Sequence, residues 1–345
     1  MRIEELDYEL PPRLIATQPA QPRDSARLLV VYRDDERLEH CHVADLADMG
    51  LFTAGDLMVV NKSRVLPAQF QATRVKTGGK IGGLFLRSDP DHQWQVLLES
   101  RGRLQLGDML QIDPGTTLCL MESSGNGRWK ARLDGDPTVL ERQGQMPLPP
   151  YIRRERHHRG ELVSKEEDAQ HYNTVYANVP GSVAAPTAGL HFTEDLLDRL
   201  AQTGLSQAQV VLHIGTGTFA PIRSNRLDQH KMHPEAIEIP APTITAIRCA
   251  RSITAVGTTT VRALESLPEP LPKSHTGQTE LFIRPGFEFR FTDHLLTNFH
   301  LPKSTLLALV ASLPNVGIER LLSWYRVAID HGYRFYSYGD TMLIV

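Results

Sequence analysis

The sequence predicts an α/β protein, a large mixed α/β domain with an inserted small six-stranded antiparallel β-barrel domain. Segments typical of strands and of helices alternate through the second half of the chain, as in a mixed α/β sheet. Between residues 68 and 146, six short strand-like runs instead follow one another without a helical period. We therefore expect one discontinuous domain from residues 1–67 and 147–345 and an inserted barrel from residues 68–146.

The first segment of the large domain contains proline-rich loops and two predicted strands. A β-like run covers residues 28–32, and the continuous apolar run 57–60 is typical of a strand buried on both faces. The polar residues 61–64 follow the second strand directly. Because open α/β sheets bind ligands at the carboxyl ends of their strands, these residues form a candidate binding loop. An ordinary solvated loop is the alternative.

The predicted barrel strands are mostly separated by turns that contain glycine or proline, such as TGGK, DPG and SSGNG. We place the strands at residues 69–76, 81–87, 94–99, 108–112, 116–121 and 128–133.

A basic segment follows the proline-rich return from the barrel, MPLPPYIRR, at residues 146–154. The formal net charge of the whole chain is −3, so any site for a polyanion must be a local patch. The arginines of this segment are a candidate patch for phosphate contacts, although a solvated charged loop has the same composition.

The stretch GSVAAPTAGLHFT, at residues 181–193, consists mostly of small residues. Its glycines can take positive φ and Pro186 interrupts regular structure, which predicts a tight loop that another group approaches closely. The loop delivers His191 and leads into a helix that Thr193 can cap and Gly204 can end. A connecting loop with a surface histidine is the alternative.

Strands and helices alternate after this loop. We predict strands at residues 209–214 and 253–256, helices at 243–252, 261–267 and 318–331, a hairpin at 281–291 and a strand-rich tail at 333–345. Gly257 and three threonines precede the second of these helices, and Pro302 with Lys303 is expected to open a further one.

Polar loops that carry glycine, threonine or histidine follow several predicted strands, at residues 61–64, 181–193, 213–219, 257–260 and 298–304. Such loops on one scaffold favour a single cleft lined by their tips. They offer imidazole, carboxylate and guanidinium groups, with neither a nucleophilic cysteine nor a GxSxG motif. The residues alone therefore predict an acid–base enzyme that uses no metal and acts on a polar substrate.

The composition narrows the class of protein further. No apolar run reaches membrane-spanning length, and Cys41, Cys119 and Cys249 match no zinc or disulfide spacing. The 14 histidines lack an HExxH pattern, so we interpret them as structural or surface residues. We expect a cytoplasmic protein without membrane contact.

Long motifs in the second half of the chain resemble those of one family. They are GSVAAPTAGLHFT, LHIGTGTF (212–219), HKMHPEAIEI (230–239), VGTTTVRALES (256–266), TNFHLPKSTLL (297–307) and YRFYSYGDTMLI (333–344). The N-terminal LDYELPPRLIATQPAQPRDSARLL matches as well, so the resemblance runs nearly from end to end. The family is that of the S-adenosylmethionine:tRNA ribosyltransferase-isomerases of queuosine biosynthesis, whose architecture is an α/β body with an inserted β-barrel.

The resemblance implies an enzyme that uses S-adenosylmethionine as a ribosyl donor and needs no metal. It would transfer and isomerise the ribosyl group onto 7-aminomethyl-7-deazaguanine at the wobble position of tRNA. The product would be epoxyqueuosine-tRNA, with adenine and methionine released. The implied partner is a tRNA that carries this base, and we expect a monomer. An S-adenosylmethionine-dependent RNA methyltransferase and a non-catalytic tRNA-binding protein are the alternatives.

Roles for candidate residues follow from this chemistry and from membership of the motifs. His191 is the candidate base or adenine-side acid, His300 the second acid–base group, and Asp340 an orienting or proton-relaying carboxylate. Anchoring of anionic groups and shaping of the pocket are assigned to Arg64, Thr187, Gly189, Gly215, Gly217, Thr258, Arg262 and Lys303. Contacts to tRNA are assigned to Arg153, Arg154, Arg156 and Arg159.

The chain departs from the family pattern at Lys62, Gly82, His171, Asn173 and Pro234. The family usually has a carboxylate where this chain has Gly82, and aspartate or asparagine where it has Lys62. A missing carboxylate and an added lysine beside the expected cleft would retune substrate affinity or mark an altered substrate.

Overall fold

The computed structural model of the protein describes residues 2–89, 93–215, 226–230 and 232–345. The strands within these residues are β1 Arg27–Tyr32, β2 Arg37–His42, β3 Asp56–Asn61, β4 Ser63–Val65, β5 Gln69–Arg74, β6 Lys80–Ser88, β7 Gln93–Ser100, β8 Met109–Asp113, β9 Thr116–Gly125, β10 Arg128–Asp134, β11 Val179–Ser182, β12 Ser206–Leu212, β13 Glu235–Ile239, β14 Ser252–Val256, β15 His275–Thr279, β16 His294–Asn298 and β17 Thr341–Ile344. The α-helices within them are α1 Val139–Gln143, α2 Pro150–His158, α3 Asp168–His171, α4 Glu194–Gln202, α5 Ala241–Cys249, α6 Thr258–Glu265, α7 Thr305–Ala311 and α8 Gly317–Asp330.

A nine-stranded mixed sheet forms the main body, in the spatial order β15-β13-β12-β3-β14-β16-β17-β1-β2. The neighbouring strands β12, β3, β14 and β16 run parallel to one another. Their carboxyl ends therefore lie side by side at one edge of the sheet, which is where open α/β sheets bind ligands.

Strand β3 is buried along its whole length, as its continuous apolar sequence predicts. Side chains alternate between the two faces of a strand. Accordingly, Leu57 and Val59 join the larger core, which also contains residues of α5 to α8, while Met58 and Val60 join a second core with residues of α4. Burial on both faces fixes the position of β3, and so of the polar residues that follow it.

The strands β5 to β10 close into an antiparallel barrel in the order β10-β7-β6-β5-β8-β9. The barrel has its own core, built around Phe70, Trp94 and Leu118. The predicted fold class, an α/β body with a six-stranded antiparallel barrel, is confirmed. The domain boundaries at residues 68 and 146 stay a prediction.

Helix α4 follows its prediction at both ends. The Thr193 hydroxyl oxygen accepts a hydrogen bond from the backbone N–H of Leu196 at 3.2 Å, so Thr193 is the N-cap. Gly204 has a φ of 91° just after the helix, in the region that glycine occupies without strain.

The hairpin predicted at residues 281–291 is wrong, because these residues form no strand. The Glu265 carboxylate instead accepts hydrogen bonds from the backbone N–H groups of Arg290, Phe291 and Thr292, at 2.9 to 3.1 Å. A buried side chain thus satisfies donors that a partner strand would otherwise need to pair.

The helix predicted to open at Pro302 begins later, at Thr305. Ser304 is its N-cap and accepts a hydrogen bond from the backbone N–H of Leu307 at 3.2 Å. Lys303 has a φ of 56°, a left-handed conformation that a helix does not contain, so it lies in the turn before α7.

Candidate active site

The carboxyl ends of the parallel strands converge as predicted, and polar side chains connect them. Asn61, at the end of β3, donates from its side-chain nitrogen to the carbonyl of Leu212, the last residue of β12, at 3.0 Å. The same nitrogen lies 3.4 Å from the Thr259 hydroxyl in the first turn of α6, and the Asn61 side-chain oxygen accepts from the N–H of Leu212 at 3.1 Å. One buried amide therefore holds three of the predicted loops together.

A pair of serines extends this connection to the loop at residues 181–193. The Ser182 hydroxyl donates to the Ser63 hydroxyl at 3.1 Å and accepts from the backbone N–H of Ile214 at 2.9 Å. All three residues are buried, so the bonds are shielded from competition with water.

Asn298, at the end of β16, connects the remaining loop to His191. Its side-chain oxygen accepts from the Thr187 hydroxyl at 2.7 Å, and its side-chain nitrogen lies 3.1 Å from Nε2 of His191. In this arrangement the amide donates to Nε2, so His191 is neutral and carries its proton on Nδ1. Burial lowers the pKa of His191 to about 3, which favours the same neutral state.

His300 lies in the same region and is also neutral. Its Nε2 is 2.9 Å from the Thr297 hydroxyl, and burial lowers the pKa of His300 to about 3. Its backbone N–H donates to the Tyr325 hydroxyl at 2.9 Å, and its carbonyl accepts from the Tyr8 hydroxyl. These bonds hold the backbone of His300 from both sides.

These loops enclose a cavity of about 30 Å³, large enough for water but not for a substrate. It is lined by Ala185, Pro186, Thr187, Ala188, Ile214, Gly257, Thr258, Thr259, Thr297, Asn298, His300 and Leu306. Gly257, Thr258 and Thr259 line this space, so the positive end of helix α6 lies beside it. The pocket therefore combines a neutral imidazole with an environment that favours an anion.

A much larger cleft, of about 390 Å³, adjoins this pocket between the barrel and the body. Ala184 lines the cleft, whereas the next residue, Ala185, lines the pocket. Likewise, Gly215 lines the cleft and Ile214 lines the pocket. Its volume lies within the range of about 300–1,000 Å³ that is typical of small-molecule sites. The cleft therefore lies next to the pocket.

The walls of the cleft are apolar, with a few polar groups at defined places. Leu84 and Leu97 of the barrel face Pro147, Leu148 and Val183 of the body. The polar lining residues are Gln69, Gln71, Glu99 and Arg153. This composition, apolar with few polar groups, is that of a ligand site rather than of a packed domain interface.

The ion pair of Arg262 and Glu235 supports the wall of the cleft from inside. Both side chains are buried, and Arg262 also donates from Nε to the carbonyl of Leu281 at 3.0 Å. Glu235 accepts from the backbone N–H of Gly215 at 2.9 Å. The pair therefore positions the residue after Ile214, at the point where pocket and cleft adjoin.

Comparison with known families decides which protein class this geometry belongs to. A family model described as queuosine biosynthesis protein matches residues 3–344. The chain belongs to this family. The family predicted from the motifs is thereby confirmed.

Relatives of this family member cover nearly its whole length. A Gloeobacter violaceus protein named S-adenosylmethionine:tRNA ribosyltransferase-isomerase is 45% identical over 98% of this chain and 94% of its own. A Rubrobacter xylanophilus protein of the same name is 45% identical over 100% of this chain and 98% of its own. The solved structure of a Thermotoga maritima S-adenosylmethionine tRNA ribosyltransferase is 32% identical, with a TM-score of 0.55, over 99% of this chain and 100% of that one.

Several residues predicted for the site of this family member lie together. Thr187, Thr258 and His300 line the pocket, and Gly215 lines the cleft. His191 is buried behind Asn298 and is not among the lining residues. Gly217 lies outside the described residues.

Gly189 does not line the cavity, but another side chain packs closely against its backbone. A Cβ atom at this position would lie 2.0 Å from the hydroxyl oxygen of Tyr176, so no other residue fits there. Gly181, with a φ of 142°, makes comparable room for the ring of His213. The loop therefore needs glycine where other side chains pass close to its backbone.

Other predicted site residues lie away from the pocket or are bonded to other residues of the protein. The Asp340 carboxylate accepts the backbone N–H groups of Arg27 and Arg334, at 3.1 and 2.7 Å, and joins the tail to β1. Lys303 pairs with Asp7 at 2.7 Å. Arg64 is exposed on β4, outside the residues that line the pocket and the cleft.

The four arginines proposed for tRNA divide by environment. Arg153 lines the cleft, and Arg154 is exposed beside it on α2. Arg156 is buried in a two-bond ion pair with Asp168, both bonds at 2.7 Å, so its assignment to a phosphate contact is wrong. Arg159 is exposed and donates to the carbonyl of Ile15 at 2.9 Å. The helical period of α2 places Arg156 on the same buried face as Ile152, which a count of charges cannot show.

Residues outside the prediction also belong to the site. Asn298 begins the predicted loop at residues 298–304 but was given no role, although it ends a buried strand, the same signal that pointed to residues 61–64. Gln69 and Glu99 occupy outward positions of barrel strands, where polar residues ordinarily face solvent. The sequence holds no signal that this barrel face meets the body.

Two further findings concern the described ranges of the chain. They contain no group of three or more His, Cys, Asp or Glu side chains placed to hold a metal ion. None of the helices in these ranges combines the length and hydrophobicity that crossing a bilayer requires.

Proposed function

We propose that this chain is an S-adenosylmethionine:tRNA ribosyltransferase-isomerase. It transfers and isomerises the ribosyl group of S-adenosylmethionine onto 7-aminomethyl-7-deazaguanine at the wobble position of tRNA, giving epoxyqueuosine-tRNA, adenine and methionine. The observation that carries the proposal is a substrate-sized cleft that adjoins a pocket with a neutral, buried imidazole, in a full-length member of the queuosine biosynthesis family.

The cleft is the proposed binding place for the reacting groups of both substrates. Its apolar walls suit flat ring systems, and its volume suits a small ligand. The wobble base of a tRNA is stacked in the anticodon loop and must leave that stack to reach the pocket. Arg153 and Arg154 are exposed and are the proposed cationic contacts for the RNA backbone.

His300 is the proposed proton acceptor. The positive sulfur of S-adenosylmethionine acidifies the neighbouring C5′ hydrogens, so a positioned base can remove one without a metal. A neutral imidazole is the form that accepts a proton, and burial, which lowers the pKa of His300, keeps the ring in this form while it also makes the ring a weaker base. His300 also lines the cavity itself, whereas His191 lies behind Asn298. We therefore assign His191 a positioning role, exerted through the amide of Asn298.

The first turn of α6 is the proposed site for an anionic group. Gly257, Thr258 and Thr259 line the pocket there. Backbone N–H groups and the helix dipole stabilise negative charge at such a position. Arg262 contributes indirectly, because its pair with Glu235 holds the adjoining loop.

A cytoplasmic monomer is the proposed working form.

The experiment is incubation with S-adenosylmethionine and tRNA that carries the aminomethyl base, followed by mass spectrometry of the nucleosides. We expect epoxyqueuosine in the tRNA, together with free adenine and methionine. The same tRNA with guanine at the wobble position is the control and should gain no mass. Release of S-adenosylhomocysteine would instead identify a methyltransferase, and binding without any product would identify a tRNA-binding protein.

A further inference from the structure

The barrel wall of the cleft is a regular patch of three strands. On its outer face, Gln69, Leu84 and Leu97 stand side by side on β5, β6 and β7. Gln71, Gly82 and Glu99 form the next outward-facing row, two residues further along the strands. Residues of both rows line the cleft.

Gly82 leaves a gap in the middle of the second row. A Cβ atom there would meet nothing nearer than the Cβ of Glu99, at 3.9 Å, which is ordinary contact. Its φ is not in the left-handed region. The neighbouring Gly83 differs, because a Cβ there would lie 2.2 Å from the Phe70 ring. The barrel therefore requires glycine at position 83 but not at position 82.

Glu99 borders this gap, and its carboxylate has no bonded partner among the described residues. It is exposed and makes no hydrogen bond or ion pair with any residue in the described part of the chain. Most carboxylates of this kind face bulk water, but this one lines a cleft with apolar walls. A charge in such a place interacts more strongly with an opposite charge than it would at an open surface.

The guanidinium of Arg153 lies at the opposite corner of the same patch. Its two terminal nitrogens are held by the side-chain oxygen of Gln69, at 3.0 and 3.3 Å, across the space between body and barrel. No carboxylate of the described residues pairs with it. The cleft therefore has a negative charge at Glu99 and a positive charge at Arg153, at opposite corners of an apolar wall.

We propose that Glu99 is a substrate-recognition residue whose carboxylate binds a primary ammonium group, which enters the gap beside Gly82. The proposal rests on the function proposed above, because both substrates carry such a group. One source is the α-ammonium of S-adenosylmethionine, and the other is the aminomethyl arm of the modified base. The barrel thereby selects a reactant in addition to supporting the tRNA.

The test is the isosteric change Glu99→Gln, measured by equilibrium binding as well as by turnover. Two binding preferences are compared: S-adenosylmethionine against its desamino analogue, and tRNA with the aminomethyl base against the same tRNA with guanine. We expect the variant to lose about tenfold or more of one preference, as for a charge-assisted hydrogen bond. Loss of the first preference identifies the α-ammonium, and loss of the second identifies the aminomethyl arm. Both preferences unchanged within twofold would overturn the proposal.

The second variant, Gly82→Leu, fills the gap while the carboxylate stays in place. We expect it to weaken the same ligand as Glu99→Gln and to leave the melting temperature of the protein unchanged, since the added side chain enters open space. Unchanged ligand binding in Gly82→Leu would contradict the role of the gap.

Glu122→Gln is the matched control. Glu122 is an exposed carboxylate on β9, which lies opposite β6 in the barrel, and it does not line the cleft. Both preferences should be retained in this variant. Binding can be measured without turnover, so the two proposals can be refuted independently. If the wild type forms product and Glu99→Gln has no effect, only the role of Glu99 is refuted. If the wild type forms no product, the proposed function is refuted.

Discussion

The pocket in the body and the cleft beside the barrel are adjacent but are built in opposite ways. In the pocket, buried polar side chains bond mainly to one another, as in the chain from Thr187 through Asn298 to His191. In the cleft, Glu99 has no bonded partner among the described residues, and Arg153 is bonded only to a neutral amide. The first arrangement fixes positions, and the second leaves charges available.

This difference separates the chemistry from the recognition of substrates. A satisfied network in a low-dielectric interior is rigid, so it can hold an acid–base group in place for a reaction. Unpaired charges on the walls of an open cleft cost little while water reaches them, and they bind ligand groups of opposite sign. Changes in the pocket should therefore affect turnover, and changes in the cleft should affect binding.

The largest expected effect is that of His300→Asn on kcat. Loss of a positioned base typically slows a reaction by about 10²–10⁴-fold. We expect such a loss in kcat with KM for both substrates nearly unchanged, measured with tRNA that carries the aminomethyl base. His42→Asn, a change at an exposed histidine at the end of β2, is the control and should behave as wild type. A variant that keeps normal kcat would remove His300 from the mechanism.

A smaller effect is expected on stability in acid. Burial lowers the pKa values of His191 and His300 to about 3, below the unfolded value near 6.5. The unfolded state therefore binds more protons between pH 6.5 and pH 3, and the free energy of unfolding falls as the pH drops through this window. The slope is on the order of 1.4 kcal/mol per pH unit for each histidine.

Urea unfolding at a series of pH values measures this slope. Together, His191 and His300 contribute part of this slope, and His300→Asn should remove about half of that part. His42→Asn should leave the slope unchanged. An identical slope in His300→Asn and the wild type would show that His300 is not held neutral by the fold.

The site in the body could be predicted from the sequence because it lies where neighbouring parallel strands end. Asn61, Val256 and Asn298 end parallel strands, and the rule for carboxyl ends applies to each of them. The N-cap Thr193 was equally readable, since capping depends on local sequence.

The rest depended on contacts between distant parts of the chain. Arg156 is part of a charged run, and only its pairing with Asp168 shows that it is internal. Residues 281–291 alternate like a hairpin but bind the Glu265 carboxylate instead. Glu99 looks like any outward residue of a barrel until the body is placed against that face. Local patterns carry no information about such packing.

The most direct measurement is a crystal structure of the protein with S-adenosylmethionine bound. We expect the ligand to lie in the cleft against Leu84 and Leu97, with its sulfonium and ribose toward His300 and Thr258 of the adjoining pocket. A ligand bound elsewhere, such as in the groove between Tyr8 and Arg326, with no atom near His300, would contradict it.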